Sequence, residues 1–164
     1  IGHDISYAGL AQNLNTPPDT VRRYLELLEK VFIIFSRQGY SRNLRKEYTK
    51  TPRYYFWDNG IRNIVISNLN NLASRDDVGA LWENYCVVER AKRNKYQNIL
   101  ANSFYWRTYD QKEIDVVEER EGKLFGFEMK WGKAKVKAPV DFLRSYPGSD
   151  YQVINKDNYL DFII

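Results

Sequence analysis

Residues 113–130 read EIDVVEEREGKLFGFEMK, and this stretch restricts the fold more than any other. Two runs rich in β-branched and aromatic residues flank Glu121-Gly122. The pattern predicts strands over 113–119 and 123–130 that close as a β-hairpin. Side chains along a strand alternate between faces. On the second strand Leu124, Gly126, Glu128 and Lys130 therefore share one face, and Phe125, Phe127 and Met129 the other. On the first strand Asp115 and Val117 lie opposite Ile114 and Val116. Apolar residues occupy both faces of both strands, so each strand is expected to be buried on at least one side. Asp115, Glu128 and Lys130 then fall where a core belongs. Strand pairing can bring Asp115 beside Glu128, although alternation does not fix the register.

A buried unpaired charge is costly, and two like charges together cost more. One arrangement that relieves this is a divalent cation held by the Asp115 and Glu128 carboxylates, with the backbone carbonyl of Met129 as a third ligand. Lys130 would then stabilise charge on a phosphate or orient a water nucleophile. The plainer arrangement is an ion pair between Lys130 and Glu128, with Asp115 solvated. The 164 residues contain one His and one Cys, which excludes a zinc finger or a Cys/His nucleophilic pair. Any metal here is thus expected to be a hard ion, magnesium or manganese in its place.

The rest of the chain divides into two parts. Residues 5–14 and 19–30 show helical spacing, interrupted by Asn15-Thr16-Pro17-Pro18. The second helix carries Val21, Tyr24, Leu25 and Leu28 on one stripe and Arg22 and Arg23 on its wet side. Strand candidates at 31–38 and 53–58 follow, completing a winged-helix pattern over 1–66. Between them Arg37, Arg42, Arg45, Lys46, Lys50 and Arg53 face Glu47 alone, which suits either a solvated wing or phosphate contact. Residues 67–76 read as a polar connector. The second part, 77–164, opens with a helix over 77–95 whose stripe is Val78, Leu81, Trp82, Tyr85, Val88 and Glu89, with Asp76 and Asp77 at its start suited to capping. Strands at 103–108, 113–119 and 123–130, a helix at 139–147 and a strand at 151–154 complete an α/β layered domain.

With Glu83 in LWENY, Asp115 in EIDVV, and Glu128 and Lys130 in FEMK, the ordered set resembles the PD-(D/E)XK phosphodiesterase superfamily, the restriction-endonuclease-like fold. That resemblance implies a central mixed sheet flanked by helices and a catalytic set of Glu83, Asp115, Glu128 and Lys130, with Glu89 the rival to Glu83. Asp115 is preceded here by Glu113-Ile114 rather than by proline. Taken over TVRRYLELLEKVFII, YYFWDNGIRN, GALWENYCVVE, FEMKWGK and VINKDNYLDFI, the chain also resembles the C-terminal region of a family of prokaryotic AAA-type ATPases, a winged helix followed by a nuclease-like domain of unknown function. The resemblance implies DNA as partner, an ATPase domain in the same polypeptide, and either phosphodiester hydrolysis or binding alone through a silent nuclease-fold module. An opening Ile1 and the lack of a G-x-x-x-x-G-K-[ST] loop suit a piece that excludes the ATPase.

Expected nucleic-acid contacts are Arg22, Arg23, Arg42, Arg45, Lys46, Arg107, Lys133 and Lys135, with Arg107 alternatively pairing Asp115 or Glu128. Trp106 and Cys86 are expected in the core. The formal charge of +4 permits nucleic-acid binding without requiring it. A lone cysteine, no apolar run of about 18 residues and no signal peptide predict a cytoplasmic protein that does not enter a membrane.

Overall fold

The computed structural model describes residues 2–42, 51–132 and 136–164. Short helices α1 (Tyr7–Asn13) and α2 (Pro18–Lys30) precede a two-stranded antiparallel ribbon, β1 (Ile34–Arg37) and β2 (Arg53–Phe56). Pro18 opens α2, where its missing N–H would have no helical partner. Val31 caps the helix end and Phe32 takes a left-handed φ of 56°, so β1 begins three residues later than the apolar run suggests. On α2 Val21 is buried, but Tyr24 and Leu28 of the expected stripe are exposed.

Helix α3 (Asn59–Val65) then leads to the long helix α4 (Val78–Tyr96), followed by β3 (Asn102–Arg107), β4 (Glu113–Arg120), β5 (Lys123–Met129), α5 (Val140–Ser145), β6 (Asp150–Ile154) and α6 (Tyr159–Ile163). Helices α3 and α6 are additions to the expected order. Strands β3–β4–β5–β6 form a four-stranded mixed sheet, antiparallel except for the parallel β5–β6 pair. Glu121 and Gly122 both have positive φ, 51° and 77°, and join β4 to β5 as a two-residue turn. Such a turn matches the right-handed twist of the strands it connects.

One sheet face, with Val116, Phe127, Met129 and Ile154, packs on Trp82, Cys86 and Val87 of α4 and on Phe162 of α6. Tyr55 of β2 belongs to the same cluster, so the two parts of the chain share a core. The other face, with Trp106, Ile114, Val117 and Leu124, packs on Phe142 and Tyr146. The ribbon meets the sheet edge through Gln38–Tyr40, whose backbone exchanges hydrogen bonds with Tyr105 at 3.0 and 2.7 Å. Among the described residues no helix is long and apolar enough to cross a membrane.

The buried side of α4 differs from the expected stripe. Asn84, Cys86, Val87 and Arg90 point inward, whereas Tyr85 is exposed and Glu89 pairs with Lys92. Asn84 earns its place by bonding the backbone of Phe56 in both directions, each at 2.9 Å. Arg90 donates from Nε and Nη2 to the fully buried Glu118, both at 2.8 Å, and from Nη1 to the Phe162 carbonyl at 2.7 Å. Asp77 does not cap the helix through its side chain. Its carboxylate is taken by Arg62 and Arg75 instead.

Removing one partner of a buried ion pair strands the other. Burial pushes the Glu118 carboxyl up, but Arg90 and Asn94 outweigh it and hold its pKa below the ordinary value. Its stabilisation is therefore present above the ordinary carboxylate pKa and is lost as pH falls through the lowered one. Glu118→Gln is expected to lower the unfolding free energy at pH 7 by about 3–5 kcal/mol, read from urea denaturation. The double change Arg90→Met, Glu118→Leu should recover part of that loss.

Candidate active site

The β4–β5 ladder runs from Arg120↔Lys123 to Val116↔Phe127 and stops. Continued by one residue, that register sets Asp115 across from Glu128. Instead of further backbone pairing, Asp115 Oδ2 accepts the Met129 N–H at 2.8 Å. On the opposite side β4 bulges against β3: Phe104 pairs with Val117 but Trp106 with Ile114, so three steps on β4 match two on β3. A bulge re-aims side chains and ends regular pairing. Its effect is visible in Ile114, which packs with Val117 rather than with Val116. A Cβ on Gly126 would already lie 3.3 Å from Ile114 Cδ1, so glycine leaves room for this displaced side chain.

Both carboxylates are 6% exposed. Burial, then the charges of Glu83 and Glu128, hold the Asp115 carboxyl well above the usual carboxylate range. Glu128 is also raised, by burial above all, although Lys130 works against the shift. Lys130 Nζ lies 2.7 Å from Glu128 Oε1, so that ion pair is present, but Asp115 is buried rather than solvated. Burial would lower the Lys130 pKa, but its hydrogen bond to Glu128 and the acids around it raise it. Glu128 Oε2 is buried without a hydrogen-bond partner among the described residues. Among those residues no group of three or more His, Cys, Asp or Glu side chains is arranged to hold a metal ion.

Glu83, on α4, acts electrostatically on Asp115 and Glu128. Its Oε1 accepts from the Tyr55 hydroxyl at 2.9 Å. Glu89, six residues further along α4, pairs with Lys92 at 2.7 Å, whereas Glu83 is the helix acid whose charge acts on Asp115 and Glu128. Gly2, at a φ of 66°, packs so closely on Glu83 that a Cβ there would collide with the carboxylate.

Tyr55 and Tyr151 of this neighbourhood are missing from the sequence expectations, and Arg37, expected on a solvated wing or at a phosphate, is buried here instead. Tyr55 is fully buried, and burial together with Glu83 raises its pKa well above the ordinary value. Tyr151 is raised by burial and then by Glu128 and Asp115, and its hydroxyl is buried without a partner among the described residues. Arg37 is 4% exposed, with Nη1 buried and unpartnered among the described residues. Burial lowers the Arg37 pKa against the pull of Tyr55, Glu118, Glu83 and Asp115. Only alternation could have hinted at these, since each reaches the site through a non-local contact. Cys86 is a core residue whose thiol is pushed up to about 12 by burial and then by Asp115 and Glu83.

The expected nucleic-acid residues are dispersed. Arg22 and Arg23 are exposed on α2, with Arg22 over the Tyr7 ring. Arg42 pairs with Glu119 at 3.2 Å. Arg107 does not reach Asp115 or Glu128: Asp4 and Gln111 take its guanidinium. Asp4 also binds the buried Arg53, which Glu113 holds from the other side at 2.6 Å. Arg45, Lys46, Lys50, Lys133 and Lys135 lie outside the described residues.

Residues 78–160 match the family described as a domain of unknown function, DUF4143, and residues 1–73 match a second domain of unknown function, DUF8612. Uncharacterized proteins of Mycobacterium tuberculosis and Mycobacterium bovis are each 31% identical over 131 residues, covering 79% of this chain. The chain spans 29% of the length of these curated relatives. No solved structure matches it.

An acid whose folded pKa is raised weakens the fold above that pKa and ceases to do so as pH falls through it. Asparagine can still accept the Met129 N–H without the charge. Asp115→Asn is therefore expected to raise the metal-free melting temperature at pH 7–8 by several degrees, on the order of 1 kcal/mol. It should also flatten the gain in stability on mild acidification. Melting scans from pH 5 to 8 test this, and an unchanged or lower melting temperature at pH 8 would contradict it.

Proposed function

The chain belongs to the DUF4143 family, and from that premise we propose that its second half is a metal-dependent phosphodiesterase acting on DNA, built on the restriction-endonuclease-like pattern. The observation that carries this reading is the pair of buried carboxylates, Asp115 and Glu128, set across from one another where the β4–β5 ladder opens. A purely structural pair would be expected to have each oxygen satisfied. Here Glu128 Oε2 has no partner among the described residues, and both carboxyls are held above their ordinary range. A hard oxygen-ligand cation fits that donor set.

Asp115 and Glu128 would hold magnesium or manganese, with the Met129 backbone carbonyl as the expected third ligand. The ion's contribution when bound is to lower the pKa of a bound water and offset phosphate charge. In the hydrolysis a water oxygen attacks phosphorus, the ester P–O bond breaks, and the departing oxygen takes up a proton. Glu83, which accepts from the Tyr55 hydroxyl, would receive the proton lost by the attacking water. Lys130 has a raised pKa and is 38% exposed, so it serves as a persistent cation beside the phosphate rather than as a base. The length of the mycobacterial relatives leaves room for an ATPase domain in the same polypeptide, the partner this reading assigns to the module.

A second reading has its own support. Lys130 is bound to Glu128, and Gly2 covers part of Glu83, which suits a closed, silent module that binds DNA or protein without cutting. Supercoiled plasmid with magnesium or manganese separates the two. Nicking should occur with the wild type and fall by about 100-fold or more in Asp115→Asn and in Lys130→Ala. Salt-sensitive plasmid binding with no cleavage by any of the three proteins would overturn the hydrolytic reading and favour the silent module.

A further inference from the structure

At the far end of β4 from Asp115 lies a cleft of about 510 Å³ between α4, α6 and the β5–β6 edge. Its wall includes Arg90, Arg93, Arg120 and Phe125, with Asp150 and Asp161 also lining it. Arg90 is fully engaged by Glu118 and the Phe162 carbonyl. Arg93 and Arg120 are not. Arg93 Nε is buried without a hydrogen-bond partner among the described residues, and Nη1 reaches the Phe162 carbonyl only at 3.4 Å. Arg120 Nε is likewise buried and unpartnered among them, 3.5 Å from Glu118 Oε2, with its guanidinium stacked over Phe125 at 4.0 Å.

Glu118 cannot satisfy both. Its oxygens already accept from Arg90 twice and from Asn94 at 2.7 Å. The cleft therefore carries three guanidinium groups, while Glu118 is taken up by Arg90, Asp150 is paired with Lys123 at 2.7 Å, and Asp161 stands exposed. Burial, and then the charges of Arg90 and Arg120, depress the Arg93 pKa despite Glu118. Buried unpaired donors and uncompensated cations are both unfavourable, and an oxyanion with several acceptor oxygens relieves both at once.

We propose that the cleft bounded by Arg93 and Arg120 is a binding site for a phosphate group, separate from the acidic site at Asp115. The ligand's source is either a free phosphate or a backbone phosphate of a nucleic acid, since the recognising chemistry is the same. Five residue steps along the strand separate Asp115 from Arg120, roughly 16 Å at about 3.3 Å per step.

Inorganic phosphate and pyrophosphate, titrated against chloride at matched ionic strength, are the probes. Binding is read by calorimetry and by phosphorus-31 line broadening. Saturable binding is expected in the wild type and in Asp115→Asn. It should weaken by about tenfold or more in Arg93→Gln and in Arg120→Lys, as for loss of a charged hydrogen bond. Circular dichroism of each variant establishes folding, and the conservative Arg120→Lys keeps the test open if Arg93→Gln unfolds. Competition by oligothymidylate then distinguishes a backbone phosphate from a free one. Phosphate binding no stronger than that of chloride, or binding in both arginine variants equal to that of the wild type, would sink the proposal. Neither outcome depends on nuclease activity.

Discussion

The hydrogen bond from the Met129 N–H to Asp115 Oδ2 replaces backbone pairing at the one place where β4 and β5 part. Much of the site follows from it. A side chain that takes a main-chain donor must lie close to the sheet, so Asp115 is buried together with its charge. The bulge that accommodates it moves Ile114 to the face of Val117, and Gly126 gives Ile114 its space. Glu128 then faces a buried acid across the opening, and like charges at short range in a poorly solvated place cannot both ionise freely. The raised carboxyls of Asp115 and Glu128, and the raised Cys86 and Tyr151 beside them, are consequences of this geometry.

The first part of the chain contributes to this balance. Arg37 and Arg53 pair across the β1–β2 ribbon, like charges directly opposite. Arg53 is compensated by Asp4 and Glu113 and stacks on Tyr105 at 4.5 Å. Arg37 feels the acids at longer range, including Glu83 and Asp115. Tyr55, two residues after Arg53 and beneath the Arg37 guanidinium at 5.6 Å, binds Glu83. The carboxylates and the lysine of the acidic site lie within 78–160, and the 1–73 segment borders it through Tyr55, which binds Glu83, and through Arg37.

Alternation and turn chemistry made the hairpin readable. Its strands fall within about one residue of expectation, and Glu121-Gly122 forms the turn. The order Glu83, Asp115, Glu128 and Lys130 was equally legible, and so was the ion pair that Lys130 makes. What escaped depends on polar groups being satisfied inside. Apolar periodicity cannot anticipate that Asn84 and Arg90 turn inward, because their partners, the Phe56 backbone and Glu118, are 28 residues away. Counting apolar residues consequently put Tyr85 inside and left Val87 off the stripe, although Cys86 was expected in the core and is there. The bulge at Asp115 was illegible for a related reason, since one extra residue leaves no mark on composition. Arg107 went to Asp4, 103 residues away, a contact that neither charge nor spacing encodes.

Strand β4 carries opposite electrostatic problems at its two ends. Around Asp115 the buried carboxylates Asp115 and Glu128 stand close to Glu83, and around Arg120 three guanidinium groups line one cleft. Glu118 could relieve the acidic end only by moving away from Arg90, and the buried bidentate pair makes that costly. Nor can the ends neutralise one another through solvent. Their separation along the strand, roughly 16 Å, is about twice the Debye length of about 8 Å at physiological ionic strength. On the two readings proposed above, each end is compensated locally, one by a cation and the other by an anion.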